Sequence, residues 1–139
     1  FSPVDEISYS EVLPYEKILD ISIPNNGVYY DEVKSMFFSS LADVHSIYIK
    51  LGDKNSMEKL VRNIKNSQKW LVKNDEISDL IPFELKYSGG SYYLIYNKDT
   101  KEYNSIPEDE NTYSFVLGIF NTNTQLLEIY EYEFCLQNQ

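Results

Sequence analysis

The 139-residue chain is 42% hydrophobic, contains five Gly, five Pro and a single Cys, and carries a formal net charge of -10. That length suffices for one domain with a buried core, and the apolar content excludes wholesale disorder. With Cys135 alone no internal disulfide can form, no apolar run approaches the ~20 residues of a membrane-spanning helix, and the charge opposes the phosphate neutralisation that nucleic-acid binding needs.

The charge is unevenly distributed. Residues 1–33 carry -6, residues 34–101 carry +3, and residues 102–139 carry -7. Two acidic ends around a mildly basic middle imply a surface field that steers cationic partners inward. Thirteen Tyr and seven Phe favour pleated, half-buried surfaces, so more strand than helix is expected.

In chain order, residues 1–15, with Pro3 and Pro14, suit an extended N-terminal arm, and residues 16–139 read as a single globular domain. Lys17–Ile23 alternates, with Leu19, Ile21 and Ile23 on one side, as a half-buried strand does. Pro24-Asn25-Asn26-Gly27 is a turn signal. Over Val28–Leu41, Val33, Met36, Phe37 and Leu41 fit one face of a short helix near residues 31–41, although strand pairing fits almost as well. Val44–Leu51 reads as a strand with His45, Ile47, Ile49 and Leu51 on one face.

Asn55–Lys73 predicts one long amphipathic helix. Asn55 or Ser56 serves as its cap, and Met57, Leu60, Val61, Ile64 and Leu71 form its apolar stripe. Lys59, Arg62, Lys65, Lys69 and Lys73 lie opposite, which is how a solvated helix face usually looks.

Residues 82–139 read as an antiparallel meander. Its strands are Pro82–Tyr87, Tyr92–Tyr96, Lys101–Ile106, Thr112–Phe120 and Gln125–Leu136, with turns at Asn97–Thr100 and Asn121–Thr124. The expected fold is α+β: an antiparallel sheet of five to seven strands, the long helix packed across one face, and room for a second short helix. The helical stripe is expected to meet Phe115, Leu117, Ile119, Tyr130, Tyr132 and Phe134.

Catalytic patterns are sparse. His45 is the sole histidine and lies far from Cys135 in sequence; both read as ordinary strand residues. A structural zinc site lacks ligands, and no Gly-rich phosphate loop, His-Glu-x-x-His or Gly-x-Ser-x-Gly pattern occurs. Residues 108–110 lack the alternating ligands and Gly of a calcium loop. No cofactor or metal is expected.

The sharpest pattern is on the last strand. Ile129, Glu131, Glu133 and Cys135 point one way and Tyr130, Tyr132, Phe134 and Leu136 the other. Glu131 and Glu133, with Glu128 and the Glu108-Asp109-Glu110 loop, could present carboxylates to Lys or Arg of a partner; such charge on an edge strand also blocks aggregation. Tyrosines beside carboxylates suit protein recognition.

The expectation is therefore a non-enzymatic acidic binding protein, of inhibitor or immunity type, that captures a basic protein such as a toxin. An alternative is an envelope or secreted accessory domain holding a small ligand between sheet and helix. A carboxylate-dependent hydrolase ranks last. If Phe1 follows a removed signal, a bacterial envelope, periplasmic or secreted location is expected, and otherwise the cytoplasm. Partner identity and oligomeric state are not encoded legibly.

Overall fold

The structure, a computed structural model, describes residues 4–35, 42–72, 81, 89–105 and 113–134. These form a sheet-dominated α+β fold: a seven-stranded antiparallel sheet in the order β1-β2-β3-β7-β6-β5-β4. The strands are β1 (Val4–Ile7), β2 (Val28–Ser35), β3 (Ala42–Lys50), β4 (Leu71–Val72), β5 (Tyr92–Asn97), β6 (Phe115–Asn121) and β7 (Leu126–Phe134). The helices are α1 (Tyr9–Val12), α2 (Pro14–Leu19) and α3 (Lys54–Ser67). Two meanders, β1-β2-β3 and β4-β5-β6-β7, join where β3 pairs with β7. Among the described residues no helix is long and apolar enough to cross a membrane.

Both faces of the sheet are buried. On one, Ile47, Ile49, Leu94, Val116, Phe120, Leu127 and Ile129 pack with Val12 of α1, Tyr15 and Leu19 of α2, Leu60 and Ile64 of α3, and Trp70. On the other, Val44, Tyr93, Ile95, Phe115, Leu117, Ile119, Tyr130 and Tyr132 pack with Ile81 and Tyr113. Central strand β6 is accordingly buried from Phe115 to Phe120.

Several expectations are corrected. Residues 4–12 are not an extended arm, since they supply edge strand β1 and helix α1. Lys17–Ile23 is not a strand. Pro14 opens α2 at a position where its fixed φ suits a helix start, and Asp20 ends it in the left-handed conformation at φ 56°. Leu19, Ile21 and Ile23 still all enter the core, so the alternation was real but belonged to a helix end and an irregular segment. The short helix near residues 31–41 is replaced by β2, which pairs on both sides, with β1 and β3; residues 36–41 lie outside the described residues. Tertiary pairing outweighs the weak local helical signal.

The long helix over Asn55–Lys73 is not seen; among the described residues the longest helix, α3, has 14 residues and ends at Ser67. Its cap is Asp53, whose side chain accepts the Ser56 N–H at 2.7 Å. Its last turn closes at Gln68, which is left-handed at φ 61°, while the Ser67 hydroxyl accepts the Lys69 N–H at 3.1 Å. The chain then turns back, so Trp70 meets the sheet and Leu71 joins β4. Leu60 and Ile64 pack on the face opposite the one expected, because Phe115, Leu117, Ile119, Tyr130 and Tyr132 belong to the second cluster.

Of the expected Lys101–Ile106 strand, the described residues 101–105 form no strand but a single bridge, Tyr96 to Tyr103. Lys101 and Asn104 are left-handed, which breaks a ladder. The expected strand Pro82–Tyr87 lies outside the described residues.

Both predicted hairpin turns are present and use the same device. The Asn121 Oδ1 accepts the N–H groups of Asn123 and Thr124. The Asn97 Oδ1 accepts those of Asp99 and Thr100 at 2.8 and 3.1 Å, an Asx turn. Asn97 is buried, so replacing it by Ala leaves donors unmatched. Asn97→Ala is expected to lower folding stability by about 1–2 kcal/mol, read as a lower urea midpoint with an unchanged slope.

Candidate functional site

Residues directly opposite one another in a sheet share a face, as do residues two apart on one strand. Asp5 on β1 lies opposite Asp31 on β2. Asp31 lies opposite Ile47, while His45 and Asp43 of β3 lie opposite Glu131 and Glu133 of β7. Asp5, Asp31, Asp43, His45, Glu131 and Glu133 therefore occupy the same face of four adjacent strands. This is also the face that carries α1, α2 and α3.

Within that set two linked groups form. The His45 Nε2 is 3.2 Å from Asp31 Oδ2. Glu131 is held at both oxygens: Oε1 accepts the Tyr15 hydroxyl at 2.6 Å and Oε2 accepts the Lys98 ammonium at 2.6 Å. Lys98 also donates to Glu133 Oε1 at 3.0 Å. The turn explains its reach. The Lys98 N–H donates to Ser114 O at 2.8 Å, and the Ser114 N–H donates to Asp99 Oδ2 at 3.2 Å, so the ammonium is delivered across β6 to β7.

The electrostatics follow from these contacts. Burial alone would raise the Glu131 carboxyl, but hydrogen bonds from Lys98 and Tyr15, with Lys98 and His45 nearby, hold it below its ordinary range. Burial alone would lower Lys98, yet Glu131 and Glu133 bring it above the ordinary lysine value. Burial, then the Glu131 hydrogen bond and the charges of Glu131, Glu133 and Asp31, push the Tyr15 hydroxyl far up. Glu131 is thus kept as an anion, the opposite of what a general acid requires. Among the described residues no three His, Cys, Asp or Glu side chains converge on a point where they could hold a metal ion.

The residues singled out from the sequence do not all meet. Glu131 and Glu133 are together. Glu128 is on the other sheet face, 5% exposed, beside Tyr130 and Tyr48. Burial, Glu128 and Tyr48 together raise the Tyr130 hydroxyl well above its ordinary value. Glu108, Asp109 and Glu110 lie outside the described residues. Sequence reasoning missed Tyr15, Asp31, His45 and Lys98 as neighbours of Glu131. Alternation already put His45 on the Ile47/Ile49 face and Glu131 on the Ile129 face, but nothing local announces that β3 pairs with β7.

Compared with protein-family models, curated proteins and solved structures, the chain matches none.

Proposed function

We propose that this chain is a non-enzymatic binding protein that captures a basic protein partner at the acidic end of its sheet, in the manner of an inhibitor or immunity protein acting on a cationic toxin. One observation carries the reading. Cross-strand register gathers Asp5, Asp31, Asp43, Glu131 and Glu133 on one face of adjacent strands, in a chain whose net charge is -10. Among the described residues, Lys98 lies against Glu131 and Glu133, and His45 against Asp31. Carboxylates fixed on strands lose little freedom on binding, and Lys98 pre-orders two of them. A partner that normally holds phosphates would meet carboxylates there instead. Glu133 is the more accessible of the paired two, with a side chain 57% exposed against 23% for Glu131.

Complementary charge acts mainly on the association rate and is screened by salt. The test is capture from the source proteome at low salt, followed by kinetics for each captured protein. Captured proteins are expected to be basic, and Glu131→Gln combined with Glu133→Gln to slow association at least about tenfold at low salt. Capture of neutral or acidic proteins only, or an unchanged association rate, removes the reading.

A further inference from the structure

We infer that the cleft between residues 22–26 and α3 binds a small oxyanion ligand, a phosphate ester or a carboxylate borne on a polar body such as a sugar. The cleft has a volume of about 320 Å³. Its chemistry reverses that of the rest of the molecule: no carboxylate lines it, whereas Lys59 and Arg62 do, together with Ser22, Asn25, Ser56 and Asn63. This occurs in a chain with 22 acidic against 12 basic residues.

The helix period explains the convergence. Ser56, Lys59 and Asn63 recur at i, i+3 and i+7 on one side of α3, with Arg62 beside them. Lys69 and Lys98 are each within 4.0 Å of a carboxylate. Lys59 and Arg62 have no ion pair among the described residues. Two exposed cations at a concave surface, neither held in an ion pair, are available to an anion, and the guanidinium fork fits either a phosphate or a carboxylate.

The walls are fixed before any ligand arrives. The Ser22 N–H donates to Asn63 Oδ1 at 2.7 Å, which leaves the donor end of that amide for a ligand. The Ser56 hydroxyl donates to Asn26 Oδ1 at 3.1 Å, and Asn26 Nδ2 donates to Asp53 Oδ2 at 3.3 Å. Gly52 presses against the same wall: a Cβ there would lie 2.6 Å from Asn26 O, so no larger residue permits this approach. Walls held in this way lower the ordering cost of binding.

The overall negative charge does not override the local field. Two of the nearby acids accept backbone N–H groups, Glu16 from Ile23 at 2.6 Å and Asp53 from Ser56 at 2.7 Å, which disperses part of their charge, and no carboxylate lines the cleft itself. Charges farther off are screened over a Debye length of about 8 Å at physiological salt.

The test is calorimetric titration of the full chain with ribose 5-phosphate, glucuronate and uncharged ribose. It uses wild type, Arg62→Gln, Lys59→Gln and, as a control on the same helix outside the cleft, Lys65→Gln. All three residues are polar and lie on a helix surface, so the variants are expected to fold with unchanged melting temperatures. Saturable binding is expected for at least one of the two anionic sugars, weakened at least about tenfold by Arg62→Gln and by Lys59→Gln and unchanged by Lys65→Gln. Whether ribose 5-phosphate or glucuronate binds distinguishes phosphate from carboxylate recognition. Absence of saturable binding by both anions, equal binding of ribose, or equal weakening by Lys65→Gln overturns the assignment.

Discussion

Replacing Trp70 by Ala is expected to destabilise the fold by about 3–5 kcal/mol, enough to unfold a domain of marginal stability. Trp70 lies just beyond α3 and is 8% exposed. Its indole Nε1 donates to Leu19 O at 2.8 Å, satisfying a carbonyl at the end of α2. Its ring lies over Gly118 of β6, where a Cβ would come within 2.8 Å of Trp70 Cη2 and 3.0 Å of Leu19 Cδ2. One side chain thus ties together α2, the end of α3 and the central strand.

Valine suits a strand better than glycine, yet the clash dominates: Gly118→Val is expected to cost about 1–3 kcal/mol. The two changes should couple, because a larger residue at 118 partly refills the cavity that Trp70→Ala leaves. Equilibrium urea unfolding of both single variants and the double variant measures this. Effects that add to within about 0.5 kcal/mol would show that the two residues do not share a space.

Replacing Glu131 by Ala is expected to cost about 2–3 kcal/mol, because it strips the Tyr15 hydroxyl and the Lys98 ammonium of a shared acceptor. The loss stays below that of a fully buried pair, since both charged side chains remain about a quarter exposed and solvent screens them.

The pH dependence is specific. Glu131 has a folded-state pKa below its ordinary value of 4.5. In the unfolded chain it therefore takes up its proton first as the pH drops, so its stabilisation is present above about 4.5 and is lost as pH falls through the folded value. Tyr15 and Tyr130 are raised above their ordinary 10.0, chiefly by burial. Their neutral forms are favoured by folding, so that stabilisation holds below pH 10 and fades as the pH climbs beyond it. Glu131→Gln, which keeps the shape and removes the charge, should flatten the acid limb and reduce the Tyr15 share of the alkaline limb, while the Tyr130 share, which does not involve Glu131, stays in place. Urea midpoints between pH 3 and 11 decide this; an acid limb as steep as that of wild type would mean that Glu131 does not carry it.

Helical boundaries were hardest to read from the chain. Ending the helix at Ser67 depends on Gln68 adopting a left-handed conformation, for which no glycine is present. Its reward is the seating of Trp70 on Gly118, a contact between residues 48 positions apart. The start of α2 was more legible: Pro14 at the first turn, with Val12 before it and Tyr15 and Leu19 after it at helical spacing, was a signal that the alternation of Leu19, Ile21 and Ile23 masked. Edge strand β1 carries little apolar pattern of its own and is recognisable only through its pairing with β2. The candidate cleft has the same character. Lys59 and Arg62 looked like part of a solvated helix face, and Ser56 like a cap, until the 22–26 segment was laid across them.

Period-two alternation in β3, β5, β6 and β7, the Asx turns at Asn97 and Asn121, the apolar stripe of Leu60 and Ile64, and the acidic bias of both ends follow from local chemistry and can be derived from the residues alone. Which strands neighbour one another, which sheet face the helices cover, and which cations meet which carboxylates were decided by tertiary structure. Both faces of β6 are apolar, so its alternation could not choose between them; the helices cover the face on which Gly118 leaves room for Trp70 and Leu19. On that same face Lys98 meets Glu131, while Lys59 and Arg62 line the cleft.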